Sequence, residues 1–219
     1  HNSQLFYVNY VNTLIKMDLP EEALQASESA RARAFADLLA ARRRTTGELN
    51  PGSLSKGIFS YSSAPPLSLQ EIKDIVAAQK GIVIEYFLLP DHSCPTENQE
   101  EKDCIAIWGV TSEGNTPEVK IKMIQVPVSI MQLNADINRL MELMAEGLAS
   151  ENKRLEVAGL LRRLNDKFIE PLEKHQLLPV DPEVETLVTV IPHGNLFSVP
   201  FAALLDGTDR YLVEKYALN

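Results

Sequence analysis

An α/β module set behind an all-α helical hairpin is the fold class that the sequence predicts, and three observations predict it. Two apolar patterns of helical period open the chain, a stretch rich in Gly, Pro and Ser then breaks all periodicity, and beyond it β-branched runs alternate with long helical patterns. The 219 residues, 45% of them hydrophobic, are enough for one sizeable core or two small ones.

Phe6, Tyr7, Tyr10, Val11 and Leu14 recur at steps of three and four, which predicts a first helix ending near Met17. In Asp18-Leu19-Pro20-Glu21-Glu22 a proline and two acids stand where a first helical turn tolerates the ring and favours negative charge, so a second helix starts there. It carries Ala23, Leu24, Ala30, Ala34, Leu38 and Leu39 and meets no Gly or Pro before Gly47, which allows about 24 residues, roughly 36 Å. Two helices joined by so short a turn form an antiparallel hairpin over residues 1–44. Residues 45–67 hold Gly47, Gly52, Gly57, Pro51, Pro65 and Pro66 with several serines and read as a linker between units. Charge supports the cut: residues 1–43 are balanced, so the whole net charge of −9 lies beyond them.

The second unit, 68–219, opens with Ser68-Leu69-Gln70-Glu71, a capping-box spacing, and Leu69, Ile72, Ile75 and Val76 carry a helix to Gly81. Ile82 to Leu89 is a nearly unbroken apolar run and predicts a buried strand. Cys104 to Val110 predicts a second strand, and Glu118 to Val126, alternating Val119, Ile121 and Met123 with Lys120 and Lys122, a third with one wet face. Three strands in close succession suggest an antiparallel meander. Ile130, Leu133, Ile137, Leu140, Met141, Met144 and Leu148 then mark one long helix. Leu155, Ala158, Leu161, Leu164, Phe168 and Leu172 mark another, which Pro171 should break about one turn before itself. Leu187 to Ile191 predicts a β-branched strand, Pro192-His193-Gly194-Asn195 a turn, and Tyr211 to Ala217 a last strand.

Composition excludes several functions. With 21 Lys plus Arg against 30 Asp plus Glu, the chain is a poor partner for phosphate backbones or anionic membranes, so neither nucleic acid nor membrane is expected. Its longest apolar stretch is about half the roughly 20 residues a spanning helix needs. No basic segment followed by an apolar run opens the chain, so no signal peptide is expected, and the chain is expected to begin inside a longer protein. Two cysteines, too few for a disulfide framework, suit a reducing interior, and the cytoplasm is the expected location.

The residues that could carry chemistry are few. His193, followed by glycine just after a buried strand, stands where a general base is often presented, and a nucleophile for it would have to be Cys94 or Cys104. The blander reading is a turn histidine. Cys94 and Cys104 flank a polar run, Glu97 to Asp103, and either bound a solvated loop or close a disulfide across a hairpin mouth. With His92 they offer scattered ligands without zinc spacing. Glu21, Glu22, Arg31 and Arg33 form a charged helix surface, read as ordinary i to i+4 pairing. Met131, Met141 and Met144 read as core or packing surface. No phosphate loop, paired carboxylates or nucleophile elbow is present, so no cofactor or metal is expected.

Three segments carry a family likeness: Phe168-Ile169-Glu170-Pro171-Leu172-Glu173, the run from Leu187 through Pro192-His193-Gly194 and Pro200-Phe201-Ala202-Ala203-Leu204 to Asp206, and Tyr211-Leu212-Val213-Glu214-Lys215-Tyr216-Ala217. Together they closely resemble the CHAT domain, a caspase-like domain associated with tetratricopeptide (TPR) repeats. Glu85-Tyr86-Phe87 and Ala106-Ile107-Trp108 stand where that family has its early strands. Glu21-Glu22-Ala23-Leu24 and Ser29 to Leu39 look like the last repeat hairpin before such domains, with Val11 where a glycine is expected, so the repeat is read as a degenerate terminal unit.

The resemblance implies an incomplete caspase-like CHAT module, a mixed sheet with flanking helices, preceded by an all-α TPR-like hairpin. It implies a cysteine-peptidase-related regulator in which a His-Gly after one strand and a Cys after the next supply the dyad. In the family the turn containing His193 precedes the catalytic histidine, so no catalytic residue carries over to this sequence. The expected partners are proteins held by the hairpin, with self-association through a truncated sheet; a pseudo-peptidase scaffold is the alternative.

Overall fold

The computed structural model describes residues 2–45, 66–91, 94, 103–112, 118–147, 149–180, 182 and 186–219. Most of the expected linker, His92, and most of the loop between Pro90 and Asp103 lie outside the described residues. The chain divides into two compact units, His1–Asp74 and Ile75–Asn219.

In the first unit α1 (Asn2–Lys16) and α2 (Pro20–Thr45) form a hairpin. Asp18, with φ 58°, makes the left-handed turn between them, a conformation Asp adopts more readily than most side chains. Val11, Leu14 and Ile15 of α1 and Ala23, Leu24 and Ala26 of α2 are buried. The expected aromatic face of α1 is only partly the buried one: Phe6 and Tyr10 are exposed and stack on each other at 6.1 Å. The helix buries the stripe 11–14–15, so the two rings fall about a turn outside it.

Residues of α3 (Leu69–Gln79) begin as the capping box predicts: the Ser68 amide donates to Glu71 Oε2 at 2.8 Å and the Glu71 amide to Ser68 Oγ at 3.3 Å. A hydrogen bond from the Ser68 hydroxyl at 2.7 Å, with the one from the Ser68 amide, holds the exposed Glu71 carboxyl below its ordinary pKa.

The second unit is a five-stranded mixed sheet of order β3-β2-β1-β4-β5. β1 (Ile82–Leu89), β2 (Asp103–Ser112) and β3 (Val119–Val128) form the expected antiparallel meander, with Tyr86 opposite Ile107 and Ile107 opposite Ile124. β4 (Leu187–Ile191) joins β1 in parallel, Ile82 opposite Val188. Its crossover consists of α4 (Ile130–Glu146), α5 (Glu151–Phe168) and the short α6 (Glu170–Lys174).

Ser129 and Ser150 cap α4 and α5, each hydroxyl accepting a backbone amide three residues on, and α5 stops at Phe168 so that Pro171 falls in the first turn of α6. One core joins the sheet to these helices: Ile84, Tyr86, Leu88, Ile105 and Ile107 meet Leu140, Leu164, Phe168 and Leu172. On the opposite sheet face Phe87, Leu89, Ala106 and Trp108 are buried as well.

Two expectations change. Met131, Met141 and Met144 are not core: they are 80%, 45% and 48% exposed, because α4 buries Leu133, Ile137, Leu140 and Leu143 and turns the methionines outward. Nor is Tyr211 to Ala217 a strand. Leu212–Lys215 forms a helical turn, α7, and only Ala217–Leu218 is strand, β5, parallel to β4. Leu212 and Tyr216 are both buried and four residues apart, and the Tyr211 amide donates to Glu214 Oε2 at 2.6 Å, which starts the helix.

Candidate functional site

In sheets with parallel strands, ligands and catalytic groups gather beyond the strands' carboxyl ends. Here that edge is formed by the ends of β1 and β4 and by the turn that leaves β4. His193 lies two residues past β4. Its ring stacks on Phe87 at 4.2 Å with 20° between planes, and its Nδ1 accepts a hydrogen bond from the Leu88 amide at 3.3 Å. Gly194, with φ 57°, turns the chain into a short 3₁₀ helix, and Asn195 Nδ2 donates to Asn134 Oδ1 of α4 at 3.1 Å.

The two cysteines are joined to each other. Cys94 and Cys104 form a disulfide with a Cα separation of 5.5 Å, and both are buried. Cys104 stands opposite Leu89 at the end of β1. The sequence left open a solvated loop between free thiols; the structure takes the covalent alternative. Asp103 strengthens the same mouth: its Oδ1 accepts from the Asp91 amide at 2.9 Å and its Oδ2 from the Ile130 amide at 2.8 Å. Reading Asp103 as part of a polar run missed this role, which an acid at the first residue of a strand could have signalled.

A second arrangement escaped the sequence reading altogether. The Lys215 ammonium, 3% exposed, bridges the Glu173 and Asp206 carboxylates, the latter at 3.7 Å, and Tyr216 OH donates to Glu173 Oε1 at 2.9 Å. This cluster ties α6, the 206–211 loop and α7 together. Burial pushes the Asp206 carboxyl upward, but hydrogen bonds from the Thr208 hydroxyl, the Arg210 and Thr208 amides and the charge of Lys215 outweigh it and hold the pKa at about 2. Glu173 and Lys215 both lie in segments singled out from the sequence; their pairing was invisible across 42 positions.

Two of the four charged hairpin residues are paired, neither at the expected i to i+4 spacing: Glu21 with Lys73, 52 positions on, at 3.1 Å and Arg31 with Glu28, three positions back, at 2.5 Å. Glu22 is exposed, and the side chain of Arg33 is outside the described ones. A groove of about 220 Å³ runs between the start of α4 and the end of α5, over Val128, Leu133 and Leu164. Across it Arg163 forks onto Asp136, so its opposite charges satisfy each other. No helix among the described residues is long and apolar enough to cross a membrane.

These features define a mixed α/β module with a helix layer packed on a sheet that is buried on both faces, and with a candidate edge at the ends of β1 and β4. Residues 158–219, from within α5 through β5, match the sequence model of the CHAT domain. No curated protein matches the chain.

Proposed function

We propose that the chain is the N-terminal portion of a CHAT-domain protein, a caspase-like, cysteine-peptidase-related regulator, and that the residues present here do not supply its catalytic dyad. One observation carries this reading: both cysteines are consumed in a single disulfide while His193 Nδ1 already accepts the Leu88 amide. A cysteine peptidase needs a thiolate beside an imidazole free to take its proton. On this reading the 1–44 hairpin is a degenerate terminal TPR unit that receives protein partners, and 68–219 is the early part of the caspase-like module. The turn around His193 then braces the sheet edge at which catalysis takes place.

The test is turnover of a mixed peptide library, with labelling by a thiol-reactive probe, before and after reduction and with His193→Ala. No turnover, and equal labelling of the reduced wild type and variant, is expected. Cleavage abolished by His193→Ala would replace the proposal with an independent enzyme using His193 and a cysteine.

A pseudo-peptidase scaffold is the second reading. It is favoured by the exposed Leu5, Phe6 and Tyr10 on α1 and Met17 just after it, an apolar surface of the kind that marks contact with another protein. The cytoplasmic location expected from the sequence belongs to the proposal too.

A further inference from the structure

We propose that the groove between the start of α4 and the end of α5 docks a partner peptide by one apolar side chain, a leucine or an aromatic ring, with a Lys or Arg next to it. None of its lining residues belongs to the turn around His193 or to the cluster around Lys215, and the proposal does not depend on the peptidase reading. Size sets the first limit. At about 220 Å³ the groove is larger than a cavity of about 150 Å³ that takes up benzene and smaller than the roughly 300 Å³ at which sites for drug-sized ligands begin. It has room for one side chain, and as an open groove it leaves the rest of the partner outside. Its floor is Val128 of β3, Leu133 of α4 and Leu164 of α5, all three members of the core that packs the sheet on the helices. The floor is therefore in place before any partner arrives, which lowers the ordering cost of binding.

Charge sets the second limit. Asp136, on one wall, accepts from Arg163 Nε at 3.3 Å and Nη2 at 3.2 Å and from Gln132 Nε2 at 3.1 Å. That carboxylate keeps its partners when the wall is covered, so an apolar group can enter without leaving a charge unpaired. The Lys167 ammonium turns onto the Pro127 carbonyl at 3.4 Å. Asp166 differs from these: it is exposed and makes no ion pair among the described residues. It stands, moreover, on the unit that carries the whole net charge, with 13 Lys plus Arg against 22 Asp plus Glu over Ile75–Asn219. A cation beside the anchoring side chain is attracted by that field and an anion is repelled. The apolar anchor supplies the affinity and its basic neighbour the choice of partner.

The test is a fluorescence anisotropy titration of short labelled peptides, acetylated and amidated, with the whole chain. They carry leucine between two arginines, leucine between two glutamates, or glycine between two arginines. The arginine-flanked leucine peptide should bind saturably. The glycine peptide should bind roughly tenfold more weakly or worse, as loss of one buried leucine side chain requires, and the glutamate peptide at least about threefold more weakly at low salt. Gln132→Trp, which fills the groove from an exposed position, should weaken the first peptide about tenfold, and Asp166→Lys should remove its advantage over the glutamate peptide. Both variants should keep the far-ultraviolet circular dichroism of the wild type. The methyl resonances of Leu133 and Leu164 should move during the titration, which reads the site without any variant. No saturation, equal binding of the leucine and glycine peptides, or full affinity in Gln132→Trp with unmoved methyl resonances would overturn the proposal. So would a sedimenting mass that falls in Gln132→Trp without peptide, since a second copy of the chain would then occupy the groove.

Discussion

At the scale of single residues, Asp206 makes the sharpest prediction. Its folded pKa of about 2 lies below the ordinary carboxylate value of roughly 3.9, so it binds its proton more weakly in the folded chain than in the unfolded one. The stability it contributes is therefore complete above about pH 4 and is lost as pH falls through 4 towards 2. Urea unfolding of the wild type and Asp206→Asn should differ by a constant amount from pH 7 to pH 5 and converge near pH 2; a gap independent of pH would dismiss the carboxylate as its source. Residue identity was legible here but residue state was not. The sequence displays Cys94, Cys104 and His193 as possible chemistry, and only their placement reveals a disulfide and an imidazole whose Nδ1 already accepts from a strand amide. Lys215 similarly reads as one more surface cation until α7 turns it inward onto Glu173.

Elements were legible wherever a single period ran without competition. β1 and β4 begin and end as expected because each is an apolar, β-branched run bounded by turn residues, and α5 ends where Pro171 requires. The reading failed where two periods coexist. In 211–217 the aromatic and β-branched residues suggest a strand, yet Leu212 and Tyr216 sit at helical spacing and tertiary burial favours the helix. In α4 the methionines share the helix with a better stripe of leucines and isoleucine. Packing between elements sets a second prediction. A methyl group on Gly81 would meet the Leu187 carbonyl oxygen at 2.8 Å, where β4 begins, whereas one on Gly109 would meet the Leu177 Cδ2 at 2.5 Å. A leucine tip can rotate away and a strand carbonyl cannot. Gly81→Ala should therefore cost about 3 kcal/mol and Gly109→Ala about 1 kcal/mol in denaturant unfolding, both within the usual range for overpacking. The reverse order would mean that β4 shifts more easily than Leu177.

At the scale of the molecule, the meander's outer strand is guarded. β3 carries the exposed Lys120 and Lys122 and has Pro127 near its end, features that discourage edge-to-edge pairing, and β5 is only two residues long. Association, where it occurs, should run through α1, whose Leu5 and Phe6, with Met17 just after it, are each more than 60% exposed. In concentrated samples Phe6→Ser with Tyr10→Ser should lower the sedimenting mass and Leu218→Asp should not; the opposite pattern would put the contact on the sheet. The parallel pairing of β1 with β4 has a kinetic consequence. The β1–β2–β3 meander and the α4–α5 hairpin join near neighbours in the chain, but Ile82 meets Val188 across roughly a hundred residues, so a large loop must close before β4 can add to the sheet. β4, α7 and β5 should be the last segment to assemble and the first to open. In native-state hydrogen exchange the amides of Val190 and Asn219 should exchange at a lower opening free energy than those of Tyr86 and Ile107, so the two halves of one continuous sheet behave as successive cooperative units.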